Sequence, residues 1–138
     1  MPTRFNHVYI ESAGSFLPGA PIANDAMDAY IAPLNRISSR IKARILAENG
    51  IQSRHYAIDT EGRTTISHAQ MAAAAVRDCL GQAGADIADV SLLSVGSSGG
   101  DALMPGFANM VQGEMGAPPM GTLSSQGVCA AGVTAILH

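Results

Sequence analysis

Two side chains in this sequence stand where a nucleophile could work, Cys129 and Ser98, and each lies in a run of small residues. Cys129 falls within Ser124-Ser125-Gln126-Gly127-Val128-Cys129-Ala130-Ala131-Gly132-Val133-Thr134-Ala135-Ile136-Leu137, a strand-like approach followed by a small-residue apolar helix. A thiol on a sharp turn at a helix start gains nucleophilicity when unpaired N–H groups and the helix dipole stabilise its thiolate. Acyl transfer is the chemistry this permits. The alternative is a structural thiol, because free cysteine is among the most often buried residue types. Cys79 lacks the turn; it falls mid-helix on an apolar face and reads as core. Ser98 lies in Gly96-Ser97-Ser98-Gly99-Gly100, which matches G-x-S-x-G after an apolar strand. A nucleophile elbow needs a helix directly after the serine, whereas Gly99-Gly100-Asp101 delays the next one to about Pro105, and no acid-then-histidine order follows. A serine hydrolase is therefore the rival, and a glycine-rich loop the plainer account of Ser98.

Cofactor chemistry finds little support. Gly96, Gly99 and Gly100 do not fit G-x-G-x-x-G, and there is no P-loop lysine. His7, His55, His68 and His138 have no metal-ligand spacing with one another or with the two cysteines. No metal and no cofactor is expected.

The elements that must position the thiol are legible in outline. The 138 residues are 47 % hydrophobic and 14 % charged, with no Trp and many Ala and Gly, which suits close-packed α/β layers in a single domain. His7–Ala13 reads as a first strand, and Gly14–Asn24 as a turn-rich loop. Ile37, Ile41 and Ile45 recur at helical spacing, with Gly50 at C′ and Arg54–Asp59 extended beyond it. Ser67–Ala83 is the clearest helix, with Ala72, Val76, Cys79, Leu80 and Ala83 on one face, Thr65 or Ser67 as cap and Gly84 as stop. Asp86–Asp89 turns into Val90–Val95, an apolar strand expected to be buried on both faces. Pro105 suits N1 of a helix running to about Glu114, and a short strand at Gly121–Leu123 leads into the cysteine.

Charge is unevenly spread: the net charge is −3, yet every Lys and Arg lies at or before Arg77. Arg36, Arg40 and Arg44 at four-residue spacing share one helix face, which is either a solvated surface or a docking patch for an acidic or phosphate-bearing partner. Met1–His7 has no apolar stretch of a secretory signal, and runs such as Met71–Val76 are far too short to span a membrane. A cytoplasmic setting is expected, and neither nucleic acid nor membrane is an expected partner.

Taken in register, these segments resemble the β-ketoacyl-acyl-carrier-protein synthase III family. The resemblance is carried by Gly14-Ser15-Phe16-Leu17-Pro18, Asn49-Gly50-Ile51-Gln52-Ser53-Arg54-His55-Tyr56-Ala57, Met104-Pro105-Gly106-Phe107 and Gly127-Val128-Cys129-Ala130-Ala131-Gly132. It implies the thiolase-like α/β fold, with residues 1–138 as its N-terminal half, a mixed sheet and flanking helices. It also implies that Cys129 accepts an acyl group from a carrier-protein or coenzyme A thioester. A decarboxylative Claisen condensation would then use that group. Met104 matches a position that crosses the family's dimer interface to shape the partner's acyl pocket, so a homodimer or a heteromer with a thiolase-like partner is expected.

Two departures qualify the resemblance. Where primer-specific members place a tryptophan and an arginine around the coenzyme A adenine, this chain has Arg44 and Glu48. That favours delivery by an acidic carrier protein meeting Arg36, Arg40 and Arg44. The family's catalytic histidine and asparagine belong to a C-terminal half outside this chain, and His138 is no substitute, lying ~13 Å along the helix from Cys129. An acyl-loading-only or non-catalytic subunit is the corresponding alternative, and an isolated half is expected to expose an apolar face.

Overall fold

The computed structural model describes residues 7–31 and 39–138. They belong to two compact units, one of Leu17–Ser67 and one of Met1–Phe16 with His68–His138.

In the Leu17–Ser67 unit, β1 (Ile22–Ala23) pairs antiparallel with β2 (Ser53–Arg54), Ile22 lying opposite Arg54. Two helices lie between them in sequence, α1 (Asp28–Ile31) and α2 (Ser39–Asn49). Met27 is buried, and the Arg54 guanidinium donates to its sulfur at 2.7 Å. Tyr30 stacks on Tyr56 with ring centroids 5.0 Å apart. Gly50 follows α2 at φ +69, the left-handed conformation that ends helices and that glycine adopts without steric cost. The extended segment expected over Arg54–Asp59 is reduced to β2 and a single bridge between Ile58 and Thr64. Asp59 folds the chain back, its carboxylate accepting from the N–H groups of Glu61 and Arg63 at 2.9 Å each. The Arg63 N–H and side chain hold that carboxyl below its ordinary value.

The second unit is built around β3 (Leu92–Ser97) and β4 (Gly121–Gln126), which pair in parallel from Leu92↔Gly121 to Ser97↔Gln126. Helix α3 (His68–Ala83) precedes β3, and α4 (Phe107–Met115) makes the crossover to β4. Ala69, Ala73, Leu93, Phe107 and Val111 form the core between α3, α4 and one sheet face, with Val95 packed against it. The alternate residues of β3 meet α5 (Ala131–Ile136) on the other face: Ser94 donates to the Ala135 carbonyl at 2.7 Å, and Gly96 abuts Ala131. Helices thus cover both faces of β3, as its apolar run predicts, although Leu92 at its start remains exposed.

Several expected boundaries move for identifiable reasons. Strand β3 begins at Leu92, not Val90, because Asp86 caps a 3-10 turn over Ile87–Asp89 and the Val90 N–H bonds back to the Ile87 carbonyl. Helix α4 starts at Phe107, not Pro105; Gly106 is its cap, accepting from the N–H groups of Asn109 and Met110, and Pro105 precedes it across a cis bond from Met104. His7–Ala13 forms no strand. It has no ladder partner among the described residues, and Val8, Tyr9 and Ile10 are exposed.

That segment is instead tied to α3. Gly14 lies so close that a Cβ would sit 2.3 Å from the Cys79 nitrogen. Ser12 donates to the Cys79 carbonyl at 2.9 Å, which leaves the Cys79 thiol to donate to the Ser12 oxygen at 3.0 Å. Cys79 is accordingly half-buried and lies outside the apolar cluster where it was expected. No helix among the described residues is long and apolar enough to cross a membrane.

Candidate functional site

Strand β4 ends at Gln126, and one 3-10 turn, Val128–Ala130, carries the chain into α5. Cys129 lies at the middle of that turn with its side chain exposed. The helix proper opens two residues after the thiol, at Ala131.

The turn is tight because both of its ends are fixed. At one end Gln126 is held in the ladder opposite Ser97. At the other, Ala131 is only 2 % exposed and packs so closely on β3 that a Cβ at Gly96 would lie 2.2 Å from its carbonyl oxygen. The Ser125 hydroxyl reinforces the contact, bonding to the Ala131 carbonyl at 3.1 Å and the Val95 carbonyl at 3.3 Å. Spanning this gap forces Val128 to φ +49. A β-branched residue rarely adopts the left-handed region, at a cost on the order of 1–3 kcal/mol. The result is a strained strand-turn-helix junction that presents the thiol to solvent.

This junction stands at the carboxyl end of the parallel pair, where ligands bind in open α/β sheets. The loop after β3 leaves from the same edge, since Ser97 and Gln126 are paired. Ser98 is exposed in that loop, where its neighbour Ser97 hydrogen-bonds to both the N–H and the carbonyl of Gly99. No helix follows until Phe107. The strand-to-helix turn that the serine reading needs is therefore found around Cys129 and not around Ser98.

The same loop holds a residue that sequence reasoning missed. The Asp101 carboxylate reaches back to the start of α3, one oxygen accepting from the His68 N–H and the other from the Ala69 N–H, both at 2.8 Å. Partial burial pushes this carboxyl up, but the Ala69 and His68 N–H groups together with the His68 charge outweigh it and hold it below its ordinary value. The His68 ring packs on Phe107 with centroids 4.4 Å apart. Just beyond, Leu103 and Met104 project outward, 91 % and 84 % exposed. A cap residue over thirty positions from its helix leaves no local signal in the sequence.

The expected basic face lies in the Leu17–Ser67 unit. Arg40 and Arg44 are exposed on α2, Arg44 bonded to Glu48 at 2.7 Å, and Arg36 is outside the described residues. Lys42 pairs with Asp28. His138, with Val8, Ile136 and Leu137, lines a cleft beyond the far end of α5 from the thiol. Among the described residues no three His, Cys, Asp or Glu side chains gather as a metal site would require.

Comparison with known proteins adds an independent line. No family model matches the chain. Beta-ketoacyl-[acyl-carrier-protein] synthase III of Bordetella petrii is 34 % identical over 136 residues, covering 99 % of this chain and 39 % of that protein. The same-named protein of Roseobacter denitrificans is 36 % identical over 92 % of this chain and 36 % of its own length. Among solved structures, AbyA1, a tetronic acid condensing enzyme, superposes with a TM-score of 0.78 at 27 % identity, covering 91 % of this chain and 36 % of its own. The priming beta-ketosynthase of the R1128 polyketide pathway gives 0.68 at 26 % identity, covering 92 % of this chain and 34 % of its own. The chain thus spans a little over a third of the relatives it matches. Along nearly its whole length it is a homologue of beta-ketoacyl-[acyl-carrier-protein] synthase III, with the thiolase-like fold of those condensing enzymes.

Proposed function

We propose that Cys129 is the acyl-accepting nucleophile of a condensing enzyme, and that residues 1–138 are the acyl-holding half-domain of its thiolase-like fold. The observation that carries this is the exposed thiol on the strained turn at Val128. The Cys129 thiolate attacks the carbonyl carbon of a carrier-protein or coenzyme A thioester. The new carbon–sulfur bond forms as the donor's breaks, and the donor thiolate leaves and takes up a proton. In the full reaction, a carboxylated extender loses CO2, its carbanion attacks the acyl carbon, and the Cys129 thiolate is released. By the family resemblance, the histidine and asparagine that promote this second step lie outside residues 1–138. Acyl loading on Cys129 is accordingly the step assigned to the present residues.

Carrier-protein delivery is the favoured route. The exposed Arg40 and Arg44 suit an acidic partner, and Glu48, bonded to Arg44, opposes the phosphates of coenzyme A. Leu103 and Met104 supply exposed apolar surface in the loop that leaves the same end of the parallel pair as the thiol turn, consistent with a contact to a second subunit. The two free thiols suit a reducing, cytoplasmic setting.

The test is mass spectrometry after incubation with acyl-carrier-protein and acyl-coenzyme A thioesters. The expected result is an acyl adduct on the Cys129 peptide that Cys129→Ala abolishes. Fluorophosphonate labelling of Ser98 with Cys129 unmodified would overturn the proposal in favour of a hydrolase.

A further inference from the structure

We infer that Ser125 is a positioning residue for acyl loading: its hydroxyl, bonded to the Ala131 carbonyl, holds the first residue of α5 against the strands and keeps the Val128–Ala130 turn in the shape that presents Cys129. The inference rests on the assignment of Cys129 as the acyl acceptor. Ala131 belongs to the turn and to the helix at once. Its N–H donates to the Val128 carbonyl and closes the turn, while its carbonyl lies against Gly96 of β3. Ser125 is half-buried opposite Gly96, and its one hydroxyl proton has two carbonyl oxygens in reach, that of Ala131 at 3.1 Å and that of Val95 at 3.3 Å. A single side chain thereby joins β4, β3 and the residue on which the turn closes.

A hydrogen bond of this kind and the strain of a left-handed valine are of similar size, so the balance between the displayed and the relaxed turn is sensitive to one hydroxyl. Without it Val128 is freer to return to negative φ, and Cys129 turns with it. Ser94 supplies the comparison. From the same sheet face its hydroxyl donates to the Ala135 carbonyl at 2.7 Å, a helical turn farther from the thiol than Ala131. The two serines fasten α5 by the same chemistry, one beside the turn and one away from it.

The experiment measures acylation of Cys129 by an acetylated acyl carrier protein, as maximal rate and half-saturating concentration. It compares the wild type, Ser125→Ala, Ser125→Thr and Ser94→Ala, with the melting temperature of each. Ser125→Ala is expected to lower the maximal rate about tenfold at an unchanged half-saturating concentration, the scale on which misplacing a reacting group costs rate. Ser125→Thr, which keeps the hydroxyl, should restore most of that rate. Ser94→Ala should lower the melting temperature as Ser125→Ala does and leave the rate unchanged. A wild-type rate in Ser125→Ala, or equal rate losses in the two alanine variants, would show a structural fastening alone and overturn the inference. Absence of any acylation in the wild type would remove the assignment of Cys129, and the inference with it.

Discussion

The two faces of α5 are both apolar and meet opposite fates. Toward the strands, Ala131 is sealed against Gly96, and the Ser94 and Ser125 hydroxyls bond to its backbone carbonyls. On the outward side Val133 and Ile136 are 62 % and 86 % exposed, with Leu137 just beyond. The inner face shows how a thiol turn is held by backbone-to-backbone proximity, which demands residues with almost no side chain. The outer face shows large aliphatic residues that nothing in the described residues covers. Hydrophobicity alone does not separate the two; the close approach to β3 at Ala131 does.

The contrast is broken most severely by Gly96→Val. A side chain there meets the Ala131 backbone, which cannot move without moving the Cys129 turn. Urea unfolding should register a loss of about 3 kcal/mol or more. Val111→Ala, a cavity in the core across the sheet from α5, should cost about 2 kcal/mol by the same assay and leave the reactivity of Cys129 toward iodoacetamide unchanged.

Asp101→Ala should cost about 1 kcal/mol, the usual value of an N-cap. Its pH dependence has a definite sign. The folded carboxyl titrates below the unfolded value of about 3.9, so its contribution is present above that value and disappears as pH falls through the lower folded value. Wild type and Asp101→Ala should therefore differ at pH 6 and converge in the acid range.

Ile136→Lys should change stability by less than about 0.5 kcal/mol, as expected of an exposed position. It should nevertheless lower the binding of a hydrophobic dye and any self-association seen by light scattering. A large loss of stability from this change would mean that the outer face is not exposed, and the comparison would fail.

Much of this arrangement is legible in the sequence where the chain punctuates itself. Gly84 at positive φ ends α3 as its position predicts, Gly116 ends α4 in the same conformation, and the order of elements leading to Cys129 follows from such breaks. What escaped was whatever depends on distant partners. His7–Ala13 carries the β-branched and aromatic run Val8-Tyr9-Ile10 that suits a strand, but a strand exists only with a neighbour to bond, and here Ser12, Gly14 and Ser15 bind α3 instead. Pro105 suits a helix start by its fixed φ, yet the helix waits for Gly106. Asp101 is invisible as a cap because the helix start it caps lies more than thirty residues upstream. The strain at Val128 is likewise a product of packing at both ends of its turn, and valine itself gives no hint of it.

The parallel pairing of β3 with β4 also orders events in time. Each residue of β3 meets a partner 29 positions later, and the whole of α4 lies in between. On a ribosome, β3 can find this neighbour only after α4 has been synthesised. The junction at Cys129 follows β4 in turn, so its shape becomes available only once Ala131 can settle on Gly96. Cys129 is thus among the last parts of this unit to acquire a defined place, and a nascent chain halted before α5 carries a thiol with no strained turn to display it.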